Sequence, residues 1–354
     1  MCYTIVSMNN KQTFAPYPNK NEPWDTVIVG SGPAALTAAI YTTRGAASTL
    51  IVGGNNWGGQ LMLTTTVDNF PGFSKGIEGP ELMERMRLQA ERFGAKFIGE
   101  DATEVNFDSK PFKIKTANEI YLGKSIILAT GAVTKWLKVP GEERLRGRGI
   151  SSCAPCDAPF FKDKKVVVVG GGDSAMEEAL VLTKYASRVY LVHRRNEFRA
   201  SQAMQDRVGA NDKIAVVWNT QVVEALGEQM LESLRLKTAV KQDDFDEIYR
   251  ESGGENLTEK DGGYAWEMPV GGMFVAIGHK PATEIFKGDI ELDEKNYIKL
   301  SPKTEFNTTT NVDGVFVSGD VHDRTYRQAV TAAGFGCMAG MEVLKYLDKD
   351  TPSW

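Results

Sequence analysis

The chain uses one pattern of apolar and polar positions twice. Near its start a β-branched run, Thr26 to Val29 (TVIV), stops at Gly30-Ser31-Gly32-Pro33-Ala34-Ala35 and gives way to a small-residue stretch, LTAAIY. Farther on, Val166 to Val169 (VVVV) stops at Gly170-Gly171-Gly172-Asp173-Ser174-Ala175 and gives way to MEEALVL. A short apolar run closed by glycine predicts a buried strand, and the longer mixed run after it predicts a helix. Both stretches therefore read as strand, tight turn, helix. No apolar run approaches the roughly 20 residues needed to cross a bilayer.

The two turns share the form G-x-G-x-x-A. The first Gly allows the sharp turn, and the second lets the backbone approach a pyrophosphate. The small third residue lets helix pack on strand, and the helix N-terminus holds the anion. Two copies, each in strand–turn–helix context, predict two dinucleotide sites; the competing reading is two tight turns without a ligand. A site for an unphosphorylated ribose carries Asp or Glu about 20 residues on. In the second stretch that place holds His193, then Arg194 and Arg195, with Arg199 one turn later. Guanidinium forks suit a 2′-phosphate, which predicts NADPH; the alternative is a basic surface turn. In the first stretch the place holds Gly53, in GGNNWGGQ, which decides nothing by itself.

Length and composition narrow the class. At 354 residues the chain is long enough for two domains, at roughly 100–200 residues each. Its 42% hydrophobic and 25% charged content is that of a soluble globular protein. A net charge of −5 gives no reason to expect nucleic acid or an acidic membrane as partner. Residues 1–23 read as a polar tail: they lack acids before Glu22, as transit peptides do, but contain no Arg. The four cysteines, Cys2, Cys153, Cys156 and Cys337, are too few for a secreted disulfide framework, so a reducing, cytoplasmic setting is expected.

Cys153-Ala154-Pro155-Cys156-Asp157 carries the remaining chemistry. Two cysteines at this spacing could ligate a metal, staple the chain or shuttle electrons. Zinc needs about four ligands. The three histidines, His193, His279 and His322, are scattered and there is no second CxxC, so no metal site is expected. Redox chemistry leads, because exchange needs a thiolate attacker and a second thiol to resolve the mixed disulfide. Pro155 has no N–H and stiffens the loop. Asp157 is a proton donor if burial raises its pKa, and otherwise a helix cap or solvated acid. NADPH gives a hydride, a disulfide takes electrons by thiolate chemistry, and a flavin joins the two. FAD is therefore the expected occupant of the first site.

At this point the sequence resembles the low-molecular-weight NADPH-dependent thioredoxin reductases. The resemblance covers nearly all of residues 24–349 through GSGPAA, GGQLMLTTTVDNFPGF, ILATGA, GRGISSCAPCD, VVVVGGGDSAMEEA, VHRRNEFRAS, MFVAIGHKPAT and VFVSGDVHDRTYRQAVTAAGFGCMAG. It implies an α/β fold of two Rossmann-like dinucleotide-binding domains, the NADPH domain (135–281, with the CxxC) inserted into a discontinuous FAD domain (24–134 and 282–354). It implies that Gly30, Ser31, Gly32, Pro33 and Ala34 cradle the FAD pyrophosphate. Gly59, Gln60 and Asn69 line the flavin and its ribityl chain, the joints between the domains fall near Ala129-Thr130-Gly131 and near Gly278-His279-Lys280-Pro281, the second half of the FAD domain carries Gly319-Asp320 with Asp320 meeting the ribityl chain, and Arg327, Gln328 and Ala329 follow the isoalloxazine edge. Gly170, Gly172, Asp173, Ser174, His193, Arg194, Arg195 and Arg199 would bind NADPH. Cys156 would exchange electrons with the flavin, Cys153 with the substrate disulfide, and Asp157 would protonate the leaving thiolate. The implied partners are thioredoxin and a second copy in a homodimer. The implied cycle includes a rotation of the NADPH domain, since nicotinamide and CxxC cannot share one flavin face.

Two stretches depart from the family pattern. Ala158-Pro159 follow CxxCD where the family has Gly, so the loop is expected to differ and with it the docking of thioredoxin. Phe160 and Phe161 after it read either as an exposed docking patch with Arg148 or as core. Residues 241–265, with eight acids and three bases, read as a mobile solvated loop. Cys2 is expected to have no role, and Cys337 to be a packed small residue. The rival readings are a reductase of another redoxin, a small-molecule dithiol oxidase of the same fold, which the arginines disfavour, and a non-catalytic redox sensor.

Overall fold

A computed structural model describes residues 15–64, 66–260, 262–301 and 306–348, so Cys2 lies outside the described residues. The chain forms two compact units. One comprises residues up to Val133 together with those from Lys280 on, and the other is Thr134–His279.

The first unit is built on a seven-stranded sheet. Strand Trp24–Val29 lies between Thr49–Val52 and Ile120–Leu128, parallel to both, and Val315–Val317 joins the far side of Ile120–Leu128, also parallel. These strands are apolar at almost every position because both faces are covered. Ile28, Ile51, Ile127 and Phe316 point into a core with helices Pro33–Arg44, Gly79–Arg92 and Ala329–Leu347. Their neighbours Val27, Val29, Leu50, Leu128 and Val317 point into a second core with Phe286 and Ile298. Helices Pro33–Arg44 and Ala329–Leu347 meet almost backbone to backbone. A Cβ on Gly336 would stand 2.2 Å from the Ala34 carbonyl, which explains the small-residue run AAGFGCMAG. Cys337, half-buried on this helix, is a free thiol whose Sγ lies 3.9 Å from Met341 Sδ.

The second unit repeats the plan. Its five-stranded sheet runs in the order Ile150–Ser151, Gly272–Val275, Lys165–Val169, Arg188–Val192, Ile214–Val217, all parallel. Along VVVV, Val166 and Val168 face one core and Val167 and Val169 the other. An antiparallel sheet of Thr220–Leu226, Ser233–Thr238, Gly263–Pro269 and Glu255–Lys260 completes it.

Most of the described residues of the acidic segment 241–265 form secondary structure, against the expectation of a solvated loop. Phe245–Ser252 is a helix, and Glu255–Lys260 pairs antiparallel with Gly263–Pro269. Net charge hid an amphipathic pattern. Phe245, Ile248 and Tyr249 share one helix face and pack on Trp266, while the acids occupy the other face.

Candidate active site: a CxxC turn and two glycine loops

The two glycine loops are held by the same hydrogen bonds. Gly30 N–H donates to Val52 O and Ala129 N–H to Val29 O; Gly170 N–H donates to Val192 O and Ala276 N–H to Val169 O. In each unit the first glycine is pressed against the strand that crosses over. A Cβ on Gly30 would stand 2.2 Å from Ala129 O, and one on Gly170 2.5 Å from Ala276 O. Gly30 also has φ +119°, a conformation that favours glycine. The second glycines are the opposite case. Around Gly32 and Gly172 a Cβ would meet nothing within 4 Å. Internal packing does not require these two glycines; space in front of the helix does. Neither helix that follows, Pro33–Arg44 or Asp173–Leu182, has a side-chain N-cap bond, so first-turn N–H groups remain for an anion.

In the first unit the expected residues converge. A Cβ on Gly59 would stand 3.7 Å from Gly32 Cα, and one on Gly319 2.8 Å from Ala34 Cβ. Asn69 Nδ2 donates to Gln328 Oε1 at 3.2 Å, and Thr130 Oγ1 to Ala282 O at 2.7 Å. Gly131 has φ +70° with open space around it. The Ser31 hydroxyl is committed inward, donating to Gly53 O at 2.6 Å and accepting from Gly58 N–H at 2.9 Å, so it braces the loop that carries Gly59 and Gln60. Asp320 is half-buried, and its Oδ1, itself shielded from solvent, has no hydrogen-bond partner. Burial, with Asp323 adding to it and Arg327 opposing, pushes its carboxyl up to about 7. A buried carboxylate oxygen with no donor fits a ligand hydroxyl. Asp323 orders the loop behind it by accepting the N–H groups of Thr325, Tyr326 and Arg327.

In the second unit the arginine segment is docked on the glycine loop. His193 is buried, with Nδ1 3.0 Å from Gly170 O and its ring against Gly171. It faces inward as a brace. Burial, helped by Arg199 and Arg194, holds its pKa below the ordinary value. Arg199 N–H donates to Gly171 O at 2.8 Å. Asp173 Oδ1 accepts from both the N–H and the hydroxyl of Ser201. Phe198 lies tilted against Trp218, ring centroids 4.1 Å apart, and 5.4 Å from the His193 ring. The side chains of Arg194, Arg195 and Arg199 are exposed, and none has a carboxylate partner among the described residues. Ser174 follows Asp173 in the first turn of the helix.

Cys153 and Cys156 are joined in a disulfide, with Cα atoms 5.3 Å apart, across the start of the short helix Ala154–Asp157. Pro155 fits there because the first turn needs no N–H from it. Ala158 continues in right-handed helical geometry into a 3-10 turn, Ala158–Phe161, so Ala in place of Gly carries no strain. Phe161 is core, edge-on to Phe274 at 4.9 Å, while Phe160 is 48% exposed. The two phenylalanines therefore divide between the two readings. Burial raises the Asp157 carboxyl above its ordinary range, partly opposed by the Ser151 hydroxyl, which is the direction a proton donor needs. Among the described residues no group of three or more His, Cys, Asp or Glu is placed to hold a metal ion.

Sequence reasoning missed Ser151, Ser201 and Asp323. Asp323 left a local signal, an acid followed by polar residues whose N–H groups it caps. Ser201 left none, since its partner is 28 residues away.

A nucleotide loop with a phosphate-suited arginine segment, a second such loop and a redox disulfide define a flavin-type disulfide oxidoreductase. The chain belongs to the pyridine nucleotide-disulphide oxidoreductase family, whose model matches residues 24–336. It is 47% identical over 325 residues to the thioredoxin reductase of Rickettsia prowazekii, covering 91% of this chain and 98% of that one. It is likewise 47% identical over 338 residues to the mitochondrial thioredoxin reductase 1 of Arabidopsis thaliana, covering 91% and 83%. Among solved structures, the thioredoxin reductase of Giardia duodenalis superposes with a TM-score of 0.81 at 38% identity, covering 92% of this chain and 99% of that one.

Proposed function

We propose that this chain is an NADPH-dependent thioredoxin-disulfide reductase. The observation that carries the reading is the Cys153–Cys156 disulfide beside a half-buried acid, Asp157, in the unit that also holds an arginine segment without carboxylate partners on a glycine loop. When bound, FAD supplies the two-electron carrier between NADPH and the disulfide. Gly30, Gly32, Pro33 and Ala34 offer backbone to its pyrophosphate, with Ser31 bracing the loop. Asp320 accepts a ribityl hydroxyl, Gly59, Gln60, Asn69, Ala129, Thr130, Gly131 and Gly319 shape the cradle, and Arg327, Gln328 and Ala329 line the ring edge. Gly170, Gly172, Asp173 and Ser174 form the NADPH phosphate loop. Arg194, Arg195 and Arg199 take the 2′-phosphate, and His193 holds them in place. Cys153 attacks the substrate disulfide, Cys156 resolves it, and Asp157 moves the proton.

Phe160 and Arg148 are both exposed, an apolar and a cationic side chain of the kinds that suit the docking of thioredoxin. A homodimer is supported by the apolar stripe Val330, Met338 and Met341 on helix Ala329–Leu347, with Tyr41 beside it, all exposed. No helix among the described residues is long and apolar enough to cross a membrane, and the cysteine usage fits the cytoplasm. The test is anaerobic titration with NADPH, then oxidised thioredoxin. Flavin bleaching followed by recovery supports the relay, and Cys153→Ser should bleach yet pass nothing on. No bleaching by NADPH sinks the arginine argument; bleaching without recovery points to another acceptor.

A further inference from the structure

The Ser151 side chain joins two parts of the redox turn. Its hydroxyl donates to Asp157 Oδ2 at 2.6 Å and its Oγ accepts the Cys153 N–H at 3.0 Å. Cys153 O in turn accepts the N–H groups of Cys156 and Asp157. The four residues form a closed hydrogen-bonded ring across the disulfide. Ser151 itself is buried at the end of a strand paired with Gly272–Val275, so its hydroxyl is anchored by the sheet rather than by the loop.

We propose that Ser151 is a positioning residue for thiol–disulfide exchange, holding the Asp157 carboxyl in register with the Cys153 backbone so that the acid serves the sulfur that leaves. The inference rests on the reductase reading above. In the exchange a Cys153 thiolate attacks the substrate disulfide. One S–S bond breaks, a mixed disulfide forms, and the leaving sulfur takes a proton from Asp157. The Cys156 thiol gives its proton back to Asp157 and attacks the mixed disulfide, releasing the second substrate sulfur as a thiolate, which takes up the proton lost from Cys153. Two electrons pass from the enzyme dithiol to the substrate, and Asp157 ends as it began. With Oδ2 committed to Ser151, Oδ1 is the oxygen left to carry the proton.

The charged surroundings are simple. Helix Ala154–Asp157 packs against helix Asp173–Leu182, which brings Asp173, Glu177 and Glu178, and against Ala158–Phe161, which brings no charge. None of the three acids acts on Asp157; burial and Ser151 do. Cys153 and Cys156 are the remaining titratable groups, silent while joined and equally present in every variant. A hydrogen bond donated to the carboxylate favours the ionised form, so its removal raises the pKa. Exchange needs the Cys153 thiolate and protonated Asp157 together, so the profile of the reduced protein has an acid limb set by the thiol and an alkaline limb on which the rate falls as pH rises through the Asp157 pKa.

The experiment uses protein reduced with dithiothreitol, freed of it, and mixed with oxidised thioredoxin in stopped flow across pH. This readout needs no NADPH. Ser151→Ala should exchange about tenfold more slowly at the maximum of its pH profile, with its alkaline limb about one pH unit higher. Ser151→Thr keeps the hydroxyl and should restore the wild-type limb. Asp157→Asn should lose the limb. A Ser151→Ala profile that matches wild type, or one that drops uniformly with the limb unmoved, overturns the assignment. If Ser151→Ala does not fold, Ser151→Thr decides, and a displaced limb in it overturns the proposal. A wild-type protein that NADPH cannot reduce, yet whose dithiol exchanges with the predicted limb, overturns the reductase reading and leaves Ser151 standing.

Discussion

The Asp173 carboxylate, in the first turn of the second glycine helix, accepts both the N–H and the hydroxyl of Ser201 at 2.8 Å each. An anionic side chain at the mouth of a phosphate loop would repel its ligand, and Ser201 draws it aside while tying the arginine segment to the loop. Ser201→Ala should raise the KM for NADPH about threefold to tenfold with kcat nearly unchanged, the effect of one lost hydrogen bond. Steady-state kinetics at saturating thioredoxin checks this, and an equal loss in kcat would contradict it.

Arg194, Arg195 and Arg199 stand exposed and free of carboxylates among the described residues. Replacing all three with Gln should lower kcat/KM for NADPH about 100-fold and leave NADH almost untouched, because NADH lacks the phosphate that the forks grip. The ratio of the two specificity constants is the measurement.

Phe160 and Phe161 should separate binding from stability. Phe161 is 7% exposed and its ring lies against the space beside Gly272, so Phe161→Ala should cost about 3–5 kcal/mol of stability. Phe160→Ala should stay within about 0.5 kcal/mol in denaturation yet raise the KM for thioredoxin about tenfold. Urea titration and substrate kinetics on the two variants test the division.

Asp320 and His322 predict opposing pH effects on the FAD-free protein. The Asp320 carboxyl is raised to about 7 from 3.8 by burial, so its contribution is fully present below about pH 4 and is lost as pH rises through 7. Burial lowers His322 to about 4 from 6.5, so its contribution is present above about pH 6.5 and is lost as pH falls through 4. The two slopes oppose one another across the same window, so the wild-type melting temperature should change little there. Asp320→Asn removes one slope. Its stability should fall as pH drops from 6.5 to 4, by at most roughly 1.4 kcal/mol per pH unit, and its melting temperature with it. Thermal unfolding across that range would show a flat variant if the reading of His322 is wrong.

The amino-acid sequence alone determined whatever depends on neighbours along the chain. TVIV and VVVV become strands because every position is β-branched and nearly all are apolar, and both faces of each strand are indeed buried. The glycine spacing marks the turns, and CAPCD brings its two sulfurs together because only Ala154 and Pro155 lie between them, at the start of a helical turn. Where composition was weighed in place of periodicity, the reading failed, as the acid-rich helix Phe245–Ser252 shows. Only the tertiary structure decided which Phe of the pair is core. It also decided that the Ser31 hydroxyl serves Gly53 and Gly58, and that Ser201 reaches Asp173. Those outcomes depend on which strand lies beside which and on where side chains find unsatisfied partners. Hydrogen bonds between residues dozens of positions apart leave no trace in local pattern, because their energy appears only once the sheet has set the distance between them.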